Sequence, residues 1–238
     1  MERRMFSYEQ QLKEIIENSE DDDKILEIGP GKHYVSNILY NMGFDITTMD
    51  IKKSIPNTNF LNLMGDIRNI PLKENSFDVV CAFEVLEHIP ITKLPRALYE
   101  MRRISRKKVI ISLPYNDTKL IYKLKAFALS VLGKHIDRAG HYWELNIPLY
   151  SLEHFMNLFK SIGYSIKKHY RFKKNPYHYF FVLKKKHPKR FCSNCGRRRE
   201  IVVVDGVGFC IACKREFSPT LLGLPIILED EQCKRQYL

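Results

Sequence analysis

The run Lys24-Ile25-Leu26-Glu27-Ile28-Gly29-Pro30-Gly31-Lys32-His33 constrains the fold more than any other stretch, because an apolar run passes directly into a glycine turn. It reads as a buried strand followed by a loop in which Gly29 and Gly31 can take positive φ and carry no Cβ. A bulky ligand could therefore lie against the loop and the N-terminus of the helix expected after Gly31. Asp50 closes the next apolar run, Ile46 to Met49, nineteen residues after Gly31. A second parallel strand ending there would offer a carboxylate to ribose hydroxyls. A nicotinamide or flavin fingerprint needs a third glycine at position 34, where this chain has Tyr34, so the dinucleotide reading weakens.

The remaining pattern alternates. Strand-like runs at Ile25 to Ile28, Ile46 to Met49, Phe60 to Leu63, Phe77 to Phe83 and Val109 to Leu113 are separated in several places by helical patterns, one running from Thr92, a capping residue, to Ile104. Such alternation predicts βαβ units and a parallel sheet with helices on both faces. Before it, Leu12, Ile15 and Ile16 stand at helical spacing in Tyr8 to Ser19, predicting an amphipathic helix that packs on the sheet or covers the ligand. After it, Tyr164 to Phe172 and Tyr177 to Leu183 are separated by Lys173-Lys174-Asn175-Pro176, which predicts a hairpin. Between the fifth strand and a helix at Ser151 to Ile162 lies a segment of nearly forty residues, about 115–150, too long for an ordinary connection and read as a substrate lid. Within it Leu120 to Leu132 is largely apolar and accompanied by Lys119, Lys123, Lys125 and Lys134. A basic amphipathic helix can lie on a membrane surface or cover an apolar substrate; the plainer reading folds it over the site with its lysines in water.

Four signals in order resemble class I S-adenosylmethionine (SAM) dependent methyltransferases: the Gly29 to Gly31 loop, Asp50, Gly65-Asp66-Ile67, and the run Asn75 to His88. They cover roughly the first 180 residues. The resemblance implies an α/β, Rossmann-like, doubly wound sheet of seven strands in the order 3-2-1-4-5-7-6, with an antiparallel seventh strand beside the fifth. It also implies SAM as cofactor, with Gly29 and Gly31 admitting the methionyl part and Glu27 anchoring the loop or the amino group. Asp50 would take the ribose, Asp66 and Ile67 the adenine, and Glu84 would face the cofactor. His33, where many relatives have a third glycine, departs from that pattern. A non-catalytic SAM-binding regulatory protein is the blander alternative.

The segment Ala82-Phe83-Glu84-Val85 lacks the Asn-Pro-Pro-Tyr type motif of amino-methylating nucleic-acid enzymes, and Cys81 lies within a strand, which disfavours a cysteine nucleophile. Glu84-Val85-Leu86-Glu87-His88 brings two carboxylates and a histidine together if the loop rolls into a helix. With Arg138-Ala139-Gly140-His141-Tyr142-Trp143-Glu144 it resembles the metal site of small-RNA 2'-O-methyltransferases and ubiquinone-pathway O-methyltransferases. That likeness implies a divalent ion on Glu84, Glu87, His88 and His141. Many relatives carry Glu-x-x-Glu-His without a metal, and His88 and His141 are then candidate general bases. Tyr115 and Asn116, after the fifth strand, are within reach of an acceptor.

Cys192-x-x-Cys195 and Cys210-x-x-Cys213, fourteen residues apart, have the spacing of a tetrahedral structural zinc site, and Ile201 to Val204 with Val207 to Phe209 suits a hairpin around Asp205-Gly206. This looks like a zinc ribbon, too small to fold without its ion, to which zinc can contribute on the order of 10 kcal/mol. The expected organisation is a methyltransferase domain over 1–186, a four-cysteine zinc ribbon over 187–218 and a tail over 219–238, with Cys81 and Cys233 as ordinary thiols. With 238 residues and a net charge of +12, half of that excess lies from Lys184 onward, twelve Lys and Arg against six Asp and Glu. The basic ribbon could recruit RNA or a protein partner, or simply keep the chain soluble. No apolar run of about 18 residues and no signal-peptide pattern is present, so the expected location is the cytoplasm. The leading functional expectation is O-methylation of a small or lipid-like acceptor, with an RNA methyltransferase recruited through the ribbon as its rival.

Overall fold

The computed structural model describes residues 2–52 and 58–185 together with four short strands beyond them. A leading helix α1 (Glu2–Asn18) is followed by β1 (Lys24–Ile28), α2 (Tyr34–Asn41), β2 (Asp45–Asp50), β3 (Leu61–Met64) and β4 (Phe77–Phe83). Then come α3 (Leu94–Ile104), β5 (Ser105–Pro114), α4 (Leu120–Val131), α5 (Leu152–Ile162), β6 (Tyr164–Arg171) and β7 (His178–Lys185). The seven strands form one sheet in the order β3-β2-β1-β4-β5-β7-β6, as the resemblance implied. β1 pairs in parallel with β2 (Ile28 with Met49) and β4 (Ile28 with Ala82), while β7 runs antiparallel to β5, setting His178 beside Pro114.

Both faces of this sheet are covered, which is why its strands read as unbroken apolar runs. Leu26, Val80, Ile111 and Phe181 point into a core closed by α3, α5 and Trp143. Ile25, Val79, Ile110 and Phe180 point the other way, against Ile15 of α1 and Val35 and Leu39 of α2. Cys81 lies fully buried in that second layer, where burial pushes its thiol well up, in keeping with an inert core side chain. Ser151 caps α5 by accepting from the His154 amide at 3.1 Å, and Gly163 ends the helix at φ +96.

Several boundaries differ from the sequence reading. Thr92 does not cap α3: a 3-10 turn over Ile91–Lys93 precedes it and Pro95 occupies its first turn, where a missing N–H costs nothing. α4 matches the expected helix, but it buries only Ala126 and Ser130. The lid segment is anchored beyond it by Trp143, whose indole N–H donates to the Ile89 carbonyl at 2.8 Å and whose ring lies 5.0 Å from Phe155. Among the described residues no helix is long and apolar enough to cross a membrane.

A second sheet comprises β8 (Ile201–Val204), β9 (Val207–Cys210), β10 (Glu216–Pro219) and β11 (Pro225–Ile226), in the order β11-β10-β9-β8. β8 and β9 form the antiparallel pair expected around Asp205-Gly206, and β11 falls in the expected tail. Cys192, Cys195 and Cys213 lie outside the described residues, as does the side chain of Cys210, so the zinc expectation falls there too.

Phe159 and Phe181 are fully buried with ring centroids 5.1 Å apart, joining α5 to the antiparallel edge of the sheet. Phe181→Ala should cost about 3–5 kcal/mol, the usual range for an aromatic deleted from a core. A loss of unfolding free energy from urea titration of less than a fifth of that would show that the β7 layer is not part of the cooperative unit.

Candidate active site

The site forms where the parallel strands end. Beyond β1 the chain turns through Gly29 at φ +66, and the Gly29 amide donates to the Met49 carbonyl at 2.8 Å, tying this loop to the end of β2. A Cβ on Gly29 would stand 2.6 Å from Cγ2 of Val85, in the loop after β4, so both the dihedral and the space demand glycine. Gly31, at φ +56, has nothing within 4 Å of a would-be Cβ and faces open space. His33 also takes positive φ as it leads into α2, consistent with its standing in place of a glycine.

These loops border a cleft of about 710 Å³, within the range of cofactor sites. Gly29, Gly31, Asp50, Asp66, Ile67, Glu84 and His88 all line it, so the strand-end residues singled out from sequence come together on one wall. Asp50 accepts from the Lys52 amide at 3.0 Å. Asp66 is engaged by Arg68, whose Nη2 approaches its Oδ2 at 2.6 Å, and these hydrogen bonds hold the Asp66 carboxyl below its usual range. Arg68, Val85, Pro90 and Tyr142 line it too, and none of them was given a role from sequence.

Glu27 does not line this cleft. It borders an adjoining cavity of about 310 Å³ together with Gly29, Gly31, Glu84 and His178. It is buried, accepts a hydrogen bond from Ser36, and is pushed up from 4.5 to about 7 because burial penalises its charge more than Ser36 relieves it. Glu84 therefore stands at the junction of the two cavities. It takes a strained left-handed φ of 55, accepts from Ser112 Oγ at 2.8 Å and lies 3.1 Å from His178 Nδ1.

Past Glu84 the chain rolls into the 3-10 turn Leu86–His88. Ligating atoms of Glu87, His88 and His141 lie within 4.8 Å of one another, but Glu84, turned toward Ser112 and His178, is not in that group. His88 contacts the Gly140 carbonyl through Nδ1 at 3.2 Å; a carbonyl only accepts, so Nδ1 carries the proton and Nε2 is the basic nitrogen. Burial lowers its pKa, which the Gly140 contact only partly offsets. The His141 ring lies 4.9 Å away, edge to face. Burial opposes its charge too, but Glu144 and Asp137, 3.2 and 3.0 Å from its Nδ1, together with Glu84, more than reverse the effect and raise its pKa. Glu87 is fully buried, neither of its oxygens has a hydrogen-bond partner, and burial pushes its carboxyl well up.

On the far side of His141, Asp137 and Glu144 line a third cavity of about 420 Å³ with Tyr115, Asn116, Tyr122, Lys125 and Tyr177. Asn116 donates to Glu144 at 2.7 Å, and so does Tyr177 at 2.9 Å. Glu144 was within reach of the sequence reading, since it ends the quoted Arg138 to Glu144 segment. His178 and Tyr177 carried no motif.

Two outcomes follow from this geometry. Gly29→Ala should destabilise the loop and weaken cofactor binding; adding Val85→Ala should recover only part of the loss, because the clash is relieved and the positive φ is not, as calorimetry on both variants would show. Glu27, raised in the folded state, makes native protein hold a proton that unfolded chain releases between pH 4.5 and about 7. Its contribution, about 3 kcal/mol, is therefore present below pH 4.5 and lost as pH rises to 7. Urea titrations of Glu27→Gln should lack that slope, and an unchanged slope would contradict the assignment.

Residues 1–169 match the profile of a family described as a methyltransferase domain. No curated protein sequence matches the chain. Among solved structures, a SAM-dependent methyltransferase from Methanosarcina mazei is similar at a TM-score of 0.55 and 16% identity, over 72% of this chain and 96% of that one. Magnesium protoporphyrin IX methyltransferase from Synechocystis PCC 6803, with bound SAH, gives 0.57 and 14% over 77% and 84%. The YcgJ protein from Bacillus subtilis gives 0.56 and 11% over 77% and 100%. Identities this low speak to the fold, while the family match covers most of the sequence: the chain belongs to the methyltransferase domain family.

Proposed function

We propose that the protein transfers the methyl group of SAM to an oxygen of a small or lipid-like acceptor. The observation that carries this reading is the position of the His88 and His141 pair between two spaces. His88 borders the cleft at the strand ends, and the carboxylates holding His141 border the cavity beneath α4. In this reading Asp50 takes the ribose, Asp66 and Ile67 flank the adenine, and Glu27 faces the methionyl ammonium from the adjoining cavity. Glu84, at the junction, borders the sulfonium.

Methyl transfer is an in-line displacement: the acceptor oxygen forms a bond to the methyl carbon as the sulfonium bond breaks, leaving a neutral thioether. Position supplies most of the acceleration. A hydroxyl acceptor must also lose a proton, and His88 suits that role because burial keeps it neutral near pH 7 with Nε2 free. His141, whose carboxylates raise its pKa and favour its charged form, is less suited as a base. It supports the site by positioning His88 and by offering positive charge to the oxygen.

The bare carboxylate of Glu87 favours a second reading of the same residues. Glu87, His88 and His141 present a mixed oxygen and nitrogen donor set that fits a divalent cation, and the Glu87 carboxylate, which accepts no hydrogen bond and lies 3.9 Å from His141 Nε2, would then gain a close partner. Such an ion would supply Lewis-acid polarisation of the acceptor hydroxyl.

Methyl-labelled SAM and a cell extract fractionated into RNA, protein, lipid and small molecules provide the test. Label on oxygen in the lipid or small-molecule fraction is expected; label in RNA, or on nitrogen, overturns the reading. With the acceptor in hand, His88→Ala should lower kcat by about 10²–10⁴ while leaving SAM affinity intact. Activity that survives EDTA supports His88 as base. Activity lost to EDTA and restored by a divalent ion supports the metal reading.

A further inference from the structure

The exposed side of α4 is its apolar side. Leu120, Ile121, Val131 and the following Leu132 are 63 to 68% exposed, and Leu124 is 46% exposed. At about 100° per residue, Leu120, Leu124, Ala128 and Val131 fall within roughly 80° of arc, with Ile121 beside them. The inward side is narrow: only Ala126 and Ser130 are buried, with Ser130 donating to Tyr150 Oη at 3.1 Å. A helix that merely roofed the site would turn its leucines down and its lysines up. This one does not, and a contiguous apolar surface rimmed by charge marks a contact site.

The charge around it has one sign. Lys119, Lys123, Lys125 and Lys134 flank the apolar face, and no Asp or Glu stands between Asp117 and Asp137. Two copies of such a face would set lysines against lysines, whereas anionic headgroups above an acyl layer complement both the charge and the apolar side chains. Twelve residues of helix extend about 18 Å, short of the roughly 30 Å hydrocarbon layer, so the helix suits lying along the surface and not crossing it. Its inner edge supplies Tyr122 and Lys125 to the cavity that also holds Tyr115, Tyr177 and Glu144.

We propose that α4 docks the enzyme on an anionic membrane surface, lying at the headgroup boundary, and that the methyl acceptor enters the cavity beneath it from that lipid. The second clause rests on the acceptor reading above; the first does not.

The full-length protein should float with vesicles of phosphatidylcholine and phosphatidylglycerol but not with phosphatidylcholine alone. Leu124→Glu combined with Val131→Glu should lower the bound fraction at least about tenfold, since both are exposed and burying each in lipid is favourable. Unchanged SAM affinity by calorimetry would show the variant folded. Lys119→Ala, Lys123→Ala and Lys134→Ala together should weaken binding and flatten its salt dependence. Flotation of the glutamate variant equal to wild type would overturn the docking role and assign binding to charge elsewhere in the chain. A dimer by light scattering that the same variant dissolves would overturn it in favour of a copy interface. Flotation as expected, with label found only in water-soluble acceptors, would retain the docking and overturn the lipid source. Label in lipid without flotation would overturn the docking and retain the acceptor reading.

Discussion

The site depends on a row of backbone hydrogen bonds that lock the loops at the carboxyl ends of neighbouring strands. The Gly29 amide, just after β1, donates to Met49 in β2; that of Gly65, just after β3, donates to Asp50; that of Glu84, just after β4, reaches Ser112 in β5. Each loop thus begins by reaching sideways to an adjacent strand, tying β1 and β3 to β2 and β4 to β5, and the two groups meet where Gly29 lies against Val85. Parallel strands make this arrangement available because all of their carboxyl ends fall on one edge. Glycine is demanded at two points of this rim: Gly29 beneath Val85, where the loops after β1 and β4 touch, and Gly65, where a Cβ would stand 2.8 Å from Met49 Sδ. A cleft built this way is set by backbone geometry before any side chain contributes.

The antiparallel β7 adds what the parallel strands cannot. It enters the sheet at the rim where the others leave, so its first residue, His178, pairs with Pro114 and comes within 3.1 Å of Glu84. Glu84 is held in a left-handed backbone conformation, and the hydrogen bond from Ser112, with His178 Nδ1 3.1 Å from the same carboxylate oxygen, fixes its side chain there. Tyr177, one residue earlier, donates to Glu144 of the lid. The hairpin that closes the sheet therefore also links the cofactor rim to the lid segment.

The sequence revealed the sheet almost completely, because apolar runs bounded by Gly29, Asp50 and Gly65 record strands buried on both faces, and a hairpin follows from two runs with Lys173 to Pro176 between them. The cleft wall was legible for a similar reason: Asp50, Asp66 and Glu84 directly follow or end strands, so their placement needs only local structure. What was not legible is everything set by contact across the chain. Nothing near His178 announces Glu84, and nothing near Trp143 announces the Ile89 carbonyl it bonds. Glu84 groups with Glu87 and His88 only on the premise of a continuous helical turn; a positive φ at Glu84 sends its side chain to the other side of the rim. The outward apolar face of α4 was equally hidden, since composition gives the residues of a helix but not which side the lid turns to solvent.

His88 and His141 show how far the surroundings, and not the residue type, decide the chemistry. Desolvation lowers the pKa of each imidazole, although His141 is buried and His88 keeps an exposed edge. His88 meets a carbonyl, a weak partner that fixes the tautomer without securing a charge. His141 meets Asp137 and Glu144 at hydrogen-bonding distance, and their combined attraction outweighs the same penalty. Two histidines with ring centroids 4.9 Å apart are thereby shifted in opposite directions, and His88 borders the cleft while the carboxylates that raise His141 border the cavity. Asp137 and Glu144 make that difference, so the segment after α4 sets the two imidazoles apart.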